Sequence, residues 1–216
     1  MVIAADHEEI AAAARAFGAD VIMTSPDCPS GTDRLAEVAP QLPDADLIVN
    51  VQGDEPELSG ETIDLAVAIL ESHPEAPMAT LCTPIRERAK LDDPACVKVV
   101  WRPDAEQLSE TSFTGTVLYF SRAAIPHARD WRDDLLTVEP AVFYQHLGLY
   151  VYRREFLPKY AVLPRTPLER LENLEQLRVL EHGYPIAIGV VDEPSIGIDT
   201  PEDYRKFVAS YWAKHS

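Results

Sequence analysis

The chain has 216 residues, 46% of them hydrophobic, which is enough to bury the core of one α/β domain without requiring a second. Its formal charge of −17, with no basic stripe, disfavours binding to a nucleic-acid backbone, although a nucleotide can still arrive with Mg²⁺ and be gripped by a few local Arg or Lys. Three isolated cysteines (Cys28, Cys82, Cys96), first residues without the charged-then-apolar order of an export signal, and no apolar run near the roughly 18 residues of a bilayer span predict a cytoplasmic protein with reduced thiols and no membrane insertion.

In chain order, Val2–Ala5 is a short apolar strand ending at Asp6, followed by an Ala-rich helix over Glu8–Phe17 that Gly18 stops. Ala19–Met23 reads as the next strand, and residues 25–31 as a loop entering a helix that Ser30 or Thr32 can cap. Leu47–Val51 is an apolar run typical of a strand buried on both faces. Glu61–Ser72 places Ile63, Ala66, Val67 and Leu70 on one helical face and ends at His73-Pro74. Met78–Thr83, Val97–Trp101 and Val117–Ser121 read as strands, with Arg102–Gly115 a polar excursion between the last two. Phe143–Tyr152 is a further strand, Pro167–His182 one helix with Leu168, Leu171, Leu174, Leu177 and Leu180 at helical spacing, and Ile186–Val191 the last core strand. Pro201 opens the C-terminal helix, where its missing N–H costs nothing. Alternating strands and helices predict a three-layer α/β fold around a mostly parallel sheet.

The stretch LIVNVQGDEP delivers Asp54 and Glu55 from the end of a buried strand onto a glycine turn, where open α/β sheets hold ligands and metals. Asp54 is equally of a type that caps a helix or closes a turn. A second carboxylate, Asp199 in GIDTPED, stands between a core strand and a helix, and is a respectable N-cap before Pro201.

Taken together, SGTDRLAE from Ser30, VNVQGDEP, LYFSR with Ile125-Pro126, HLGLY from His146, Pro167-Leu168-Glu169, LEQLR from Leu174 and GIDTPED resemble 3-deoxy-manno-octulosonate (Kdo) cytidylyltransferases, in the same order from about Val2 to about Tyr204. The resemblance implies a Rossmann-like nucleotidyltransferase of the nucleotide-diphospho-sugar transferase type. Such an enzyme joins CTP and Kdo into CMP-Kdo and pyrophosphate for lipopolysaccharide assembly, as a homodimer. It implies Mg²⁺ held by Asp54 and Asp199, which would be the catalytic pair, and a nucleotide side formed by Gln52, Arg34 and Ser30. Gln52 carries both an amide donor and an acceptor, as reading a cytosine edge requires. On the sugar side it implies Arg122 and Arg129 as cations for the acid, with His146, Tyr150, Glu175 and Gln176 as hydrogen-bonding groups. His146 and Tyr150, four apart in a strand, share a face.

Two departures from the family pattern stand out. The family begins with a strand and a Pro-Ala-Arg-x-x-Ser-x-Arg-x-Pro-Gly-Lys loop whose amides and cations cradle the triphosphate, and this sequence starts at what resembles the family's second strand. The expectation is a single cytidylyltransferase-like domain that is N-terminally truncated by one strand–loop–helix unit, with an apolar strand edge left unpaired. The second departure is the Arg102–Gly115 excursion, longer than the family's hairpin. Other readings compatible with the sequence are a cytidylyltransferase for 8-amino-Kdo or a sialic acid, and a non-catalytic remnant that serves as a binding or dimerisation module.

Overall fold

The computed structural model describes residues 1–53, 58–104, 114–192 and 200–215. Strand β1 (Val2–Ala5), helix α1 (Glu8–Ala16) and strand β2 (Asp20–Met23) form a unit of their own, in which β1 and β2 pair in parallel. Helix α2 (Gly31–Val38) follows, and then β3 (Leu47–Asn50), α3 (Gly60–Ser72), β4 (Met78–Pro84), α4 (Arg88–Asp92), β5 (Lys98–Pro103) and β6 (Thr114–Ser121). The chain continues through β7 (Tyr144–Arg153), α5 (Leu157–Val162), α6 (Pro167–Glu172), α7 (Gln176–Glu181), β8 (Ile186–Val190) and α8 (Pro201–His215).

Strands β3 to β8 build one six-stranded sheet in the order β3-β7-β4-β8-β6-β5. It is a mixed sheet. β7 lies antiparallel between β3 and β4, β6 is antiparallel to both β8 and β5, and within this sheet β4–β8 is the parallel pairing among the described residues. The expectation of a mostly parallel sheet therefore holds for direction, since β3, β4, β5 and β8 run one way, but not for pairing. The alternation of strands and helices could not show that β7, which enters from a long loop, would wedge between two co-directional strands.

Two apolar layers sandwich the sheet. One face packs Ala66, Ile69 and Leu70 of α3 against Ala79, Leu81, Leu149, Val151 and Ala187. The approach is close at Gly189, where a Cβ would lie 2.1 Å from Ile69 Cδ1. On the other face, α2, α5 and α7 cover Met78, Cys82, Phe120, Tyr152, Ile186 and Ile188. Among the described residues β1 and β3 are not paired with each other, so each presents one open edge.

The leucine stripe over 167–182 does not form one helix. Asn173 adopts a left-handed conformation (φ 51°) and separates α6 from α7, while Leu171 is turned outward, 82% exposed. Asn tolerates that conformation because its short polar side chain bonds locally. The break carries a consequence for the site, because it sets Glu175 and Gln176 at a helix junction.

Candidate functional site

His146 and Tyr150 would be about 13 Å apart along a regular strand at about 3.3 Å per residue. In the structure their rings are 5.3 Å apart. The cause is a bulge in β7: the pairing jumps from Thr80↔Tyr150 to Leu81↔Leu147, so Gly148 and Leu149 have no opposite residue and the strand contracts between the two aromatics. Tyr150 also neighbours Tyr152 at 5.9 Å, and His146 meets the edge of Phe120 at 4.9 Å. All of these rings are buried.

The Thr80 hydroxyl donates to the Leu149 carbonyl at 2.8 Å and lies 3.0 Å from His146 Nε2. A hydroxyl has one proton, so towards His146 it accepts, which makes Nε2 the protonated nitrogen and leaves Nδ1 as an acceptor. Burial drives the His146 pKa down to about 3, so the imidazole is neutral throughout the physiological range. At this position it can act by hydrogen bonding and shape, without charge.

Helix α2 forms the opposite wall. Ser30 caps it, accepting from the Asp33 N–H at 3.2 Å and donating to Asp33 Oδ2 at 2.7 Å. At Gly31 the wall comes so close to β3 that a Cβ there would sit 3.4 Å from Gln52 Nε2 and 3.7 Å from Asn50 Nδ2. Ser30 and Gln52, named separately from two motifs, are thereby brought together. Asn50, cross-strand partner of Tyr150, is buried with its Nδ2 donor unpartnered among the described residues. Arg34 donates to Asp6 Oδ2 at 2.7 Å and to Thr24 Oγ1, so in this structure its guanidinium ties α2 to the β1–β2 unit.

The α6–α7 junction packs against the start of α2. Arg178 donates two hydrogen bonds to Glu169, at 3.0 and 2.6 Å, lies 3.5 Å from Asp33, and stacks over Tyr160 at 4.4 Å. Burial alone would raise the Glu169 carboxyl; hydrogen bonds from Arg178, the Thr166 N–H and Arg165 outweigh it and hold the pKa below the usual carboxylate value. Arg178 is held further up, because the same bonds outweigh its own desolvation. This brace fixes Glu175, whose Oε1 accepts from Thr32 Oγ1 at 3.0 Å, and Gln176, buried at the first turn of α7. Ser30, Glu175, Arg165 and Arg178 line a common cavity of about 200 Å³.

Not every expected sugar-side residue joins this group. Arg122 is engaged elsewhere: its Nε donates to the Glu172 carbonyl at 2.8 Å and its Nη1 to the Pro94 carbonyl at 3.0 Å, which stitches the end of β6 to the end of α6. Arg129 lies exposed on the segment between β6 and β7. Asp54 and Asp199, expected to hold Mg²⁺, both lie outside the described residues. Among the described residues no group of three or more His, Cys, Asp or Glu could hold a metal ion. Tyr152, Thr80 and Asn50 carry no site signal in the sequence, and Thr32, expected there only as an alternative cap, is instead part of the buried polar contacts. An uncharged polar residue carries no sequence mark that separates a site from a cap or a core hydrogen bond.

A family profile described as cytidylyltransferase matches residues 1–188, and the chain belongs to that family. It is similar to a 3-deoxy-manno-octulosonate cytidylyltransferase of Rhodopirellula baltica, 45% identical over 97% of this chain and 80% of the relative. One from Syntrophotalea carbinolica is 49% identical over 94% and 78%. An 8-amino-3,8-dideoxy-manno-octulosonate cytidylyltransferase of Shewanella oneidensis is 44% identical over 94% and 78%. Among solved structures, a CMP:2-keto-3-deoxy-manno-octonic acid synthetase complexed with CTP superposes with a TM-score of 0.83 at 36% identity, covering 100% of this chain and 81% of that one. The chain thus spans about four fifths of the length of these relatives. It is a nucleotidyltransferase of the α/β nucleotide-diphospho-sugar transferase type.

Proposed function

We propose that this chain transfers a cytidylyl group from CTP to Kdo, giving CMP-Kdo and pyrophosphate for lipopolysaccharide synthesis. The observation that carries this reading is the bulge in β7, which gathers His146 and Tyr150 into one buried aromatic wall on the sheet face that also bears the Thr32–Glu175 contact. Relatives of 43–49% identity named for Kdo support the choice of sugar.

In the reaction the anomeric hydroxyl of the sugar attacks the α-phosphorus, an O–P bond forms, the bond to the β-phosphate oxygen breaks, and pyrophosphate leaves. Such chemistry asks for positioning and charge neutralisation more than for covalent participation. Mg²⁺, with Asp54 and Asp199 as its proposed ligands, would supply the neutralisation when bound. Gln52 and Ser30 offer uncharged donors and acceptors to the nucleotide, and Arg34 joins them if it exchanges Asp6 for a phosphate. Tyr150, His146, Glu175 and Gln176 face the sugar with neutral and acceptor groups. We place the enzyme in the cytoplasm as a homodimer. Three free cysteines support the first assignment; Leu118, 60% exposed on β6, and an apolar cavity of about 270 Å³ lined by Trp101, Pro126 and Tyr144 support the second. No helix among the described residues is long and apolar enough to cross a membrane.

Pyrophosphate release on mixing the protein with CTP, Mg²⁺ and Kdo tests the reading, and release must require all three. Release with 8-amino-Kdo but none with Kdo would transfer the assignment to the amino sugar, and release with neither would overturn it. Asp54→Asn and Asp199→Asn should each abolish Mg²⁺-dependent release, and retained turnover would contradict their assignment.

A further inference from the structure

Thr32 has no part in capping α2, since Ser30 does that, and it is fully buried. Its hydroxyl lies 2.8 Å from Tyr152 OH and donates to Glu175 Oε1 at 3.0 Å. Because the single Thr32 proton is given to Glu175, the Tyr152 hydroxyl must be the donor on the other side. Burial, followed by the nearby Glu175 charge, holds the Tyr152 phenol well above its ordinary pKa, so that proton stays in place. The result is a directed chain, Tyr152 to Thr32 to Glu175, running from the core of the sheet through the start of α2 to the α6–α7 junction. Its far end is unfinished: Glu175 Oε2 is buried and accepts no hydrogen bond among the described residues. A buried carboxylate oxygen without a donor is costly, so such a group calls for one from a ligand.

We propose that Thr32 is a positioning residue for the sugar substrate: it pins one oxygen of Glu175 so that the other is presented to a hydroxyl of the incoming acidic sugar. The proposal rests on the sugar-side reading given above. It also links the two halves of the cleft, because Thr32 follows directly on Ser30 and Gly31, which flank Gln52 on the nucleotide side. The alternative, a purely structural buried threonine, predicts loss of folding stability without selectivity between ligands.

Thermal-shift titrations of the intact chain, with Kdo and separately with CTP, distinguish the two. Thr32→Val should weaken Kdo about tenfold or more, as expected for losing one hydrogen bond to a charged group, with CTP affinity within about twofold of wild type. Thr32→Ser should restore Kdo affinity. Thr32→Ala, which removes the hydroxyl without adding volume, reads the same quantity if the valine variant does not fold. Among Kdo analogues lacking single hydroxyls, the one that has lost the Glu175 contact should bind wild type and Thr32→Val alike. Unchanged Kdo affinity in both the valine and alanine variants, or equal loss of both ligands, would overturn the role of Thr32. A wild-type protein that binds CTP but no Kdo would instead remove the function proposed above, and this inference with it.

Discussion

The two regions proposed to face the sugar and the nucleotide are held by different physics. On the sugar side, β4 is buried along nearly its whole length, β7 carries His146, Tyr150 and Tyr152 in the core, and the Glu169–Arg178 pair is sealed at 1% and 4% side-chain exposure. On the nucleotide side, β1 and β2 form a separate two-stranded sheet in which, of the strand residues, Ala5 alone is buried, and the principal tie to α2 is the part-exposed Arg34–Asp6 pair. Polar groups in a dense, dry environment are fixed in place and expensive to disturb, whereas the same groups near water exchange partners at little cost. The region proposed for the sugar is therefore preorganised, and the region proposed for the nucleotide can exchange partners at little cost.

Substitutions in each wall test that contrast. The largest effect should come from Arg178→Ala, which leaves the buried Glu169 with only the half-exposed Arg165 as an ionic partner and should cost about 3 kcal/mol in denaturant unfolding, the low end of the range for breaking a buried pair. A loss below about 1 kcal/mol would mean the brace is not buried in solution. Gly189→Ala forces Ile69 away from the sheet and should cost about 1–3 kcal/mol by the same measurement, with CTP affinity unchanged.

A pH effect of intermediate size belongs to His146. Its folded pKa, about 3, lies below the ordinary 6.5, so the unfolded chain binds the extra proton. Stability contributed by the neutral ring is complete above pH 6.5 and is lost as the pH falls from there towards 3, at up to about 1.4 kcal/mol per pH unit. His146→Gln should flatten that part of the stability–pH curve, and an unchanged slope would contradict the burial argument. The smallest effect should be that of Arg34→Ala, within about 1 kcal/mol on stability, with a disproportionate loss of CTP affinity in titration.

Much of this architecture is legible in the sequence because apolar periodicity and caps report local structure directly. Leu47–Asn50, Gly60–Ser72 and Met78–Pro84 fall where the runs of apolar residues and the His73-Pro74 stop place them. The misread segments depend on tertiary context. The helix expected over 167–182 breaks because Asn173 takes a left-handed conformation that lets Arg178 reach back to Glu169, and no 3.6-residue pattern records that reward. The bulge at Gly148–Leu149 is likewise invisible to a period of two, yet it converts a shared face into an actual contact between His146 and Tyr150. Arg122 illustrates the opposite case, a cation in a family motif that the fold uses to bind backbone carbonyls of Glu172 and Pro94.

The central claim, that the wall around His146 is rigid, neutral and turned to the sugar, is most directly measured by NMR of the protein with ¹⁵N-labelled histidine at pH 5. The account predicts a neutral His146 ring protonated at Nε2, with its Nδ1 resonance moving on addition of Kdo and remaining in place with CTP alone. A His146 resonance that titrates near pH 6.5, or that responds to CTP and not to Kdo, would contradict it.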